Sequence, residues 1–278
     1  EMAMDYTKEK GRMVFHDKLQ FNIEHFLECG QVFCFEKRGD DYIVFPQDKV
    51  AILSEKDDCV EIVTKHVEFF VDYFDLDTDY NQIKSNLSKF EIMKKPLDFG
   101  YGIRILKQDL FECLISFIIS ANNNIKRIKL ILGNLRKNLG DEIGDGVYSF
   151  PSFEKLQSCN LEFFKSMGAG YRAAYLEKVC SQITPELLDD WRKLDTPSLR
   201  KNLISLSGVG PKVADCVLLF AYHRSDVFPV DTWINQMYNQ YFSPLENREK
   251  ISRNLVETFG NLAGFAQQYL FYYQRSGE

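Results

Sequence analysis

At 278 residues, 45% hydrophobic and 27% charged, the chain has the composition of a folded globular protein with a substantial core, which excludes wholesale disorder. No apolar run reaches the roughly 18 residues needed to cross a bilayer, and the N-terminus carries no signal-peptide pattern, so a protein without a secretory route is expected. The formal net charge of −6 disfavours a nucleic-acid partner only weakly, because a local basic face suffices for phosphate contact.

Taken in chain order, the first 65 or so residues read as strands. QVFCFEKRGDDYIVFPQDKVAILSEKDDCVEIVT alternates β-branched and aromatic runs with RGDD, PQDK and EKDD turns, which predicts an antiparallel meander. HVEFFVDYF and NQIKSNLSKF then turn helical, and Pro96 with the Gly100–Tyr101–Gly102 corner marks a boundary. Everything later is helical. Asp109 with Glu112 reads as a capping box, and Thr184–Pro185 and Thr196–Pro197 read as cap-plus-proline helix starts. The expected architecture is α+β: an N-terminal antiparallel β-sheet with helices (residues 1–98), followed by a larger all-α body (residues 99–278).

Seven cysteines are scattered, with no C-x-x-C spacing. That pattern argues against a disulfide framework, a zinc site or a cysteine-held cluster, and predicts reduced, mostly buried thiols. Two basic clusters stand out: Lys84, Lys89, Lys94 and Lys95, then Lys126, Arg127, Lys129, Arg136 and Lys137. They are either phosphate-facing or simply solvated helix faces.

The run LISLSGVGPKVADC reads as two helices, about 197–224, joined by a glycine hairpin with Pro211 at the first position of the second helix. Val213, Cys216, Val217 and Phe220 recur at helical spacing, so that helix is expected to bury one face. Gly208 and Gly210 let backbone N–H groups approach a phosphate at the helix N-terminus, although a tight structural turn explains a G-x-G equally well. Hairpin carbonyls facing the other way, those of Ile204, Leu206 and Val209, would hold a structural cation.

Lys212 occupies a poor structural position, because the helix dipole disfavours an ammonium there. The same field, with partial burial, favours the unprotonated amine, a nucleophile able to form a Schiff base; a solvated surface lysine is the plain alternative. Asp231 also has two readings. It sits where an N-cap belongs, and a carboxylate held there would stabilise a sugar developing oxocarbenium charge.

These residues carry a resemblance. G-V-G-P-K-V-A-D-C followed by P-V-D resembles the helix-hairpin-helix Gly/Pro…Asp DNA glycosylase superfamily. GIRILKQDLFECLISFIISANNNIKRI (102–128), GAGYRAAY (168–175), LECGQVFCF (27–35) and GFAQQYLF (264–271) narrow it to the 8-oxoguanine DNA glycosylase/AP lyases. The resemblance implies a TBP-like sheet domain before the glycosylase body. It makes Lys212 the nucleophile at C1′ and Asp231 the catalytic carboxylate. Gly30 would accept the N7 hydrogen of 8-oxoguanine, Phe271 and Cys216 would flank the extruded base, and Gln267 would read its Watson–Crick edge. Asn122 would fill the hole left in the duplex, Tyr171 would act as wedge, and Arg127 and Arg172 would hydrogen-bond the orphaned cytosine. Backbone N–H groups of Gly208, Gly210 and Val213 would hold phosphate. Read without the resemblance, Asn122 to Asn124 end a helix, Phe271 is core and Arg127 is solvated.

One departure is visible. Eukaryotic members place a phosphate-contacting histidine two positions after the aspartate, where this chain reads Asp231, Thr232, Trp233. The implied protein is a bifunctional enzyme, a DNA N-glycosylase and AP lyase. It would be a monomer on double-stranded DNA containing 8-oxoguanine, with no membrane partner, cofactor or catalytic metal, in a prokaryotic cytoplasm in association with the nucleoid. The rivals are an alkyl-purine or endonuclease III-like glycosylase, which lack the hairpin lysine or carry a four-cysteine cluster respectively, and a non-enzymatic DNA binder.

Overall fold

The computed structural model describes residues 5–276. Six strands form one antiparallel sheet: β1 (Tyr6–Glu9), β2 (Arg12–Phe15), β3 (Phe35–Arg38), β4 (Asp41–Val44), β5 (Ala51–Glu55) and β6 (Val60–Thr64), ordered β1-β2-β6-β5-β4-β3. The expected meander is present in β3 to β6. It is extended by a β1–β2 hairpin that adds to the β6 edge, with Arg12 opposite Val63. Of QVFCF, only Phe35 enters a strand.

Tyr42 and Val44 point into one apolar cluster and Ile43 into another, so β4 is covered on both faces. On the larger side Phe15, Phe21, Phe26, Phe70 and Phe74 pack with α1 (Ile23–Leu27) and α2 (Val67–Tyr73). Each fully buried ring of this kind is worth roughly 1.5–3 kcal/mol of burial free energy. On the other face Ile43 and Phe45 meet Val147 of a short hairpin, β7 (Glu142–Gly144) and β8 (Val147–Tyr148).

The remaining helices are α3 (Tyr80–Leu87), α4 (Lys94–Phe99), α5 (Leu110–Ser120), α6 (Ile125–Leu139), α7 (Phe153–Gln157), α8 (Leu161–Ser166) and α9 (Arg172–Gln182). They are followed by α10 (Pro185–Asp190), α11 (Thr196–Ile204), α12 (Pro211–Phe220), α13 (Thr232–Tyr241), α14 (Arg248–Phe259) and α15 (Ala263–Ser276). Tyr80 and Leu87 of α3 and Leu97 of α4 join the core of the helical body, whereas Leu106 packs in the sheet core.

The chain between the two cores, residues 102–109, has no regular structure, so side chains satisfy its backbone. Gln31 accepts from Leu106 N–H at 2.9 Å and donates to Arg104 O at 2.7 Å. Arg104 is itself buried, donating to Phe74 O at 2.9 Å and lying 4.2 Å from the Tyr80 ring centre.

Every residue of α5 is buried, and it lies against α9, α10 and α12. α12 is buried from Val213 to Phe220 on all sides, not along one stripe as its spacing predicts, because neighbours cover the polar flank too. Asp109 caps α5, accepting from Glu112 N–H at 2.9 Å, but the reciprocal half of the capping box is absent. Glu112 is buried, accepts from Gln47 N–H at 2.8 Å and pairs with Arg136. A buried carboxylate needs a cation more than a helix end needs a second cap. Thr184 caps α10 as expected. For α11 the cap is Asp195, one residue before the expected threonine, and Thr196 Oγ1 instead bonds Asp226 at 3.1 Å.

Candidate active site and nucleic-acid interface

The turn between α11 and α12 is shaped by Gly208. Its φ is +77°, and a Cβ there would stand 2.7 Å from Tyr175 Cβ and 3.1 Å from Ile118 Cγ2. Space in front of Gly210 is open, and as N-cap of α12 it supplies no side chain. The first N–H groups of α12 therefore need a partner from outside the helix. Leu206 O accepts from Val209 N–H at 3.2 Å within the same turn, so one of the three carbonyls expected to face a cation is already bonded once. Among the described residues no group of three or more His, Cys, Asp or Glu is gathered for a metal.

Lys212 is half-buried in the first turn of α12, its Nζ 5.9 Å from the Phe117 ring centre. It lines a cleft of about 230 Å³ together with Pro211, Asp215, Val230 and Arg248. Asp215 is not its partner: that buried carboxylate is held bidentately by Arg200, at 2.7 and 3.2 Å. Asp231 caps α13, accepting from Ile234 N–H at 2.9 Å. Burial pushes its carboxyl above the ordinary range, opposed by that N–H and by the charges of Lys212 and Arg248. The charge of the sequence-predicted lysine thus reaches the sequence-predicted aspartate, with no salt bridge between them among the described residues. Burial lifts the Cys216 thiol to about 11, with Lys212 pulling it down. Cys216 is therefore a neutral thiol and not a competing nucleophile.

Gly30 and Phe271 meet. Gly30 has φ +80°, and a Cβ there would lie 2.9 Å from the Phe271 ring. The guanidinium of Arg275 sits 5.0 Å from the same ring centre. One turn earlier on α15, Gln267 is buried, donating to Pro229 O at 3.3 Å and accepting from Gln268 Nε2 at 2.6 Å. Gln268 in turn accepts from the Cys29 thiol at 3.1 Å. Burial lifts that thiol to about 12, so it keeps the proton it donates. A polar chain thus runs from the segment holding Gly30, through α15, to the loop that carries Asp231. Sequence reasoning did not find Cys29 and Gln268, because nothing in their spacing marks them as partners.

Asn122 is exposed with φ +50°, in the turn between α5 and α6. Arg172 builds that turn. It is 2% exposed, donates from Nε to Ala121 O at 3.0 Å and from Nη2 to Ala121 O and Asn122 O, the latter at 2.8 Å. These bonds leave Nη1 for another acceptor. Tyr171 is 59% exposed, with the Arg172 guanidinium 4.4 Å from its ring centre. Arg127 is exposed, its Nη2 3.4 Å from Gly168 O.

The basic clusters are corrected in part. Lys84 is buried, bonded to Gln20 and Tyr101 O, and lowered to about 8 by burial. Arg136 is buried against Glu112, and Lys129 lies 3.5 Å from the Phe35 ring centre. Lys126, Arg127 and Lys137 remain exposed. Arg248, which the sequence did not single out, shares the cleft of Lys212.

Comparisons with known proteins bear on the family and the fold. Residues 13–114 match the family "8-oxoguanine DNA glycosylase, N-terminal domain", and residues 115–260 match "HhH-GPD superfamily base excision DNA repair protein". The chain is 32% identical over 246 residues to a probable N-glycosylase/DNA lyase of Methanothermobacter thermautotrophicus, covering 78% of this chain and 77% of that one. It is 37% identical over 187 residues to the N-glycosylase/DNA lyase OGG1 of Arabidopsis thaliana, covering 61% of this chain but spanning only 51% of that relative. It superposes on the crystal structure of Clostridium acetobutylicum 8-oxoguanine glycosylase/lyase, in complex with double-stranded DNA containing cytosine opposite 8-oxoG, with a TM-score of 0.92 at 35% identity, covering 99% of each chain. The fold alone is shared with the 3-methyladenine DNA glycosylase of Archaeoglobus fulgidus, at TM-score 0.77 and 18% identity. The chain belongs to the HhH-GPD superfamily of base excision DNA repair proteins, within its 8-oxoguanine DNA glycosylase branch.

Proposed function

We propose that this chain excises 8-oxoguanine from duplex DNA and then cuts the strand, with Lys212 as nucleophile. A stacked base is out of reach of any side chain, so the nucleotide must leave the helix before reaction. Asn122 and Tyr171 take its place, Arg127 and Arg172 hold the cytosine left behind, and the N–H groups of Gly208, Gly210 and Val213 hold the backbone. The base enters between Phe271 and Cys216, with Gln267 at its Watson–Crick edge and the Gly30 carbonyl accepting its N7 hydrogen. Guanine has no hydrogen there, so an unpaired acceptor rejects it.

Lys212 Nζ attacks C1′ as the glycosidic bond breaks, the electrons leaving with the base, which takes up a proton. The aminal opens to an imine between Lys212 and C1′. Loss of a C2′ proton then expels the 3′ phosphate by β-elimination, and hydrolysis of the imine returns the amine. Asp231 offers negative charge to the electron-poor sugar while the bond to the base is breaking. The observation that supports this function best is a half-buried lysine in the first turn after the glycine hairpin, lining a cleft, with the carboxylate that caps α13 close enough to feel its charge.

A lysine at this position distinguishes the function from an alkyl-purine glycosylase that uses water. The scattered cysteines, four of them buried, argue against the endonuclease III-like alternative. No described helix is long and apolar enough to cross a membrane. The same reading makes the chain a monomer in a prokaryotic cytoplasm, with any hairpin cation structural; the division expected near residue 98 moves earlier, because α3 and α4 pack in the core of the helical body. Borohydride trapping tests it: the wild type cross-links to 8-oxoguanine duplex and Lys212→Gln does not. A trapped adduct that survives the substitution refutes the assignment.

A further inference from the structure

We propose that Arg248 grips a phosphate of the DNA backbone beside the reacting nucleotide. Three observations lead there. Arg248 shares with Lys212 the walls of one cleft of about 230 Å³, together with Pro211 and Val230, and its charge reaches the Asp231 carboxyl. The two carboxylates on the same walls, Asp215 and Glu249, are both held by Arg200, at 2.7 and 2.8 Å. Both carboxylates are thus engaged by another arginine, and no salt bridge joins either of them to Arg248 among the described residues. That guanidinium is exposed, and among the described residues its one side-chain hydrogen bond is a long one, Nη2 to Thr232 Oγ1 at 3.4 Å.

Stability gives no reason for the residue. Arg248 is the first residue of α14, where the helix dipole works against a cation. The substrate supplies the missing anion. A strand carries one phosphate per about 3.4 Å of axis, so a deoxyribose whose C1′ meets Lys212 brings a flanking phosphate to the rim of the same cleft. Arg248 is a positioning residue in this scheme: it touches backbone and not the reacting atoms, and it fixes where C1′ lies relative to the amine.

The inference rests on Lys212 being the nucleophile, and the test separates the two claims. Binding to 8-oxoguanine duplex is measured against salt in the Lys212→Gln background, and borohydride trapping is measured with Lys212 intact. Arg248→Ala lowers affinity roughly tenfold and reduces the slope of log K against log salt by about 1, while Arg248→Lys keeps the slope. With Lys212 intact, Arg248→Ala forms the trapped adduct more slowly than the wild type even at saturating DNA, because C1′ is less well placed, but the adduct still forms on Lys212. An unchanged slope and affinity in Arg248→Ala overturn the phosphate contact while trapping leaves the nucleophile standing. Loss of slope in Arg248→Lys as large as in Arg248→Ala also overturns it.

Discussion

On the stretch of α15 proposed to face the base, Gln267 has both ends of its amide bonded inside the protein and Phe271 rests against Gly30. At the proposed duplex-facing edge, Asn122 and Tyr171 are exposed, and a buried Arg172, next to Tyr171 in the chain, fastens the turn that presents Asn122 from behind. In the proposed mechanism a base that reaches Gln267 must exchange a protein hydrogen bond for its own, whereas Asn122 and Tyr171, already exposed, would give up little on entering the duplex. Selectivity arises where polar groups must be re-paired, because an unpaired buried group costs about 1–3 kcal/mol. Gap filling needs only shape and a fixed backbone.

Four substitutions separate the two regions. Gly30→Ala strikes the pocket hardest: it adds a positive-φ cost of roughly 1–2 kcal/mol and a crowded contact with Phe271. Excision of 8-oxoguanine should fall by about 100-fold, with binding to a duplex containing an abasic-site analogue within about threefold of wild type. An equal loss of both would mean that pocket and edge are one mechanical unit. Arg172→Ala removes charge-assisted bonds to two carbonyls and should lower unfolding free energy by roughly 2–3 kcal/mol, alongside weaker preference for cytosine opposite the lesion. Denaturant titration reads the first effect and excision opposite each of the four bases the second. Arg127→Ala should relax that preference by roughly tenfold with stability unchanged to within about 0.5 kcal/mol; wild-type discrimination in both variants would remove the orphan-base role.

The smallest effect concerns pH. Burial raises the Asp231 carboxyl above its ordinary 3.8, with Ile234 N–H, Lys212 and Arg248 opposing. A folded-state value above the unfolded one means that its contribution to stability is present below 3.8 and lost as pH rises through the raised value. Asparagine caps equally well, so Asp231→Asn should gain stability relative to wild type between strongly acid and neutral pH. A constant difference across that range would show that burial does not perturb the carboxyl.

The helical half of the molecule was largely legible. Pro211, the glycine hairpin and the cap at Asp231 are local signals, and local hydrogen bonds honour them. The pairing of Gly30 with Phe271 came only through the resemblance, since contacts across more than two hundred residues leave no mark in spacing. What misled were charges. Lys84, Arg136 and Glu112 look solvated or capping in one dimension, and each is buried with a partner far along the chain. The β1–β2 hairpin lies within the 65 or so residues that read as strands, but its two four-residue strands carry too short an alternation to be placed one by one. Arg248 was passed over for the converse reason: an exposed arginine in NREK is unremarkable until α12 and α14 set it beside Lys212.

The most direct measurement is peptide mapping of the borohydride-reduced adduct formed on 8-oxoguanine duplex. The modified deoxyribose should be recovered on the peptide containing Lys212 and nowhere else. Recovery on another lysine or on the terminal amine, with Lys212 unmodified, would contradict the account at its centre.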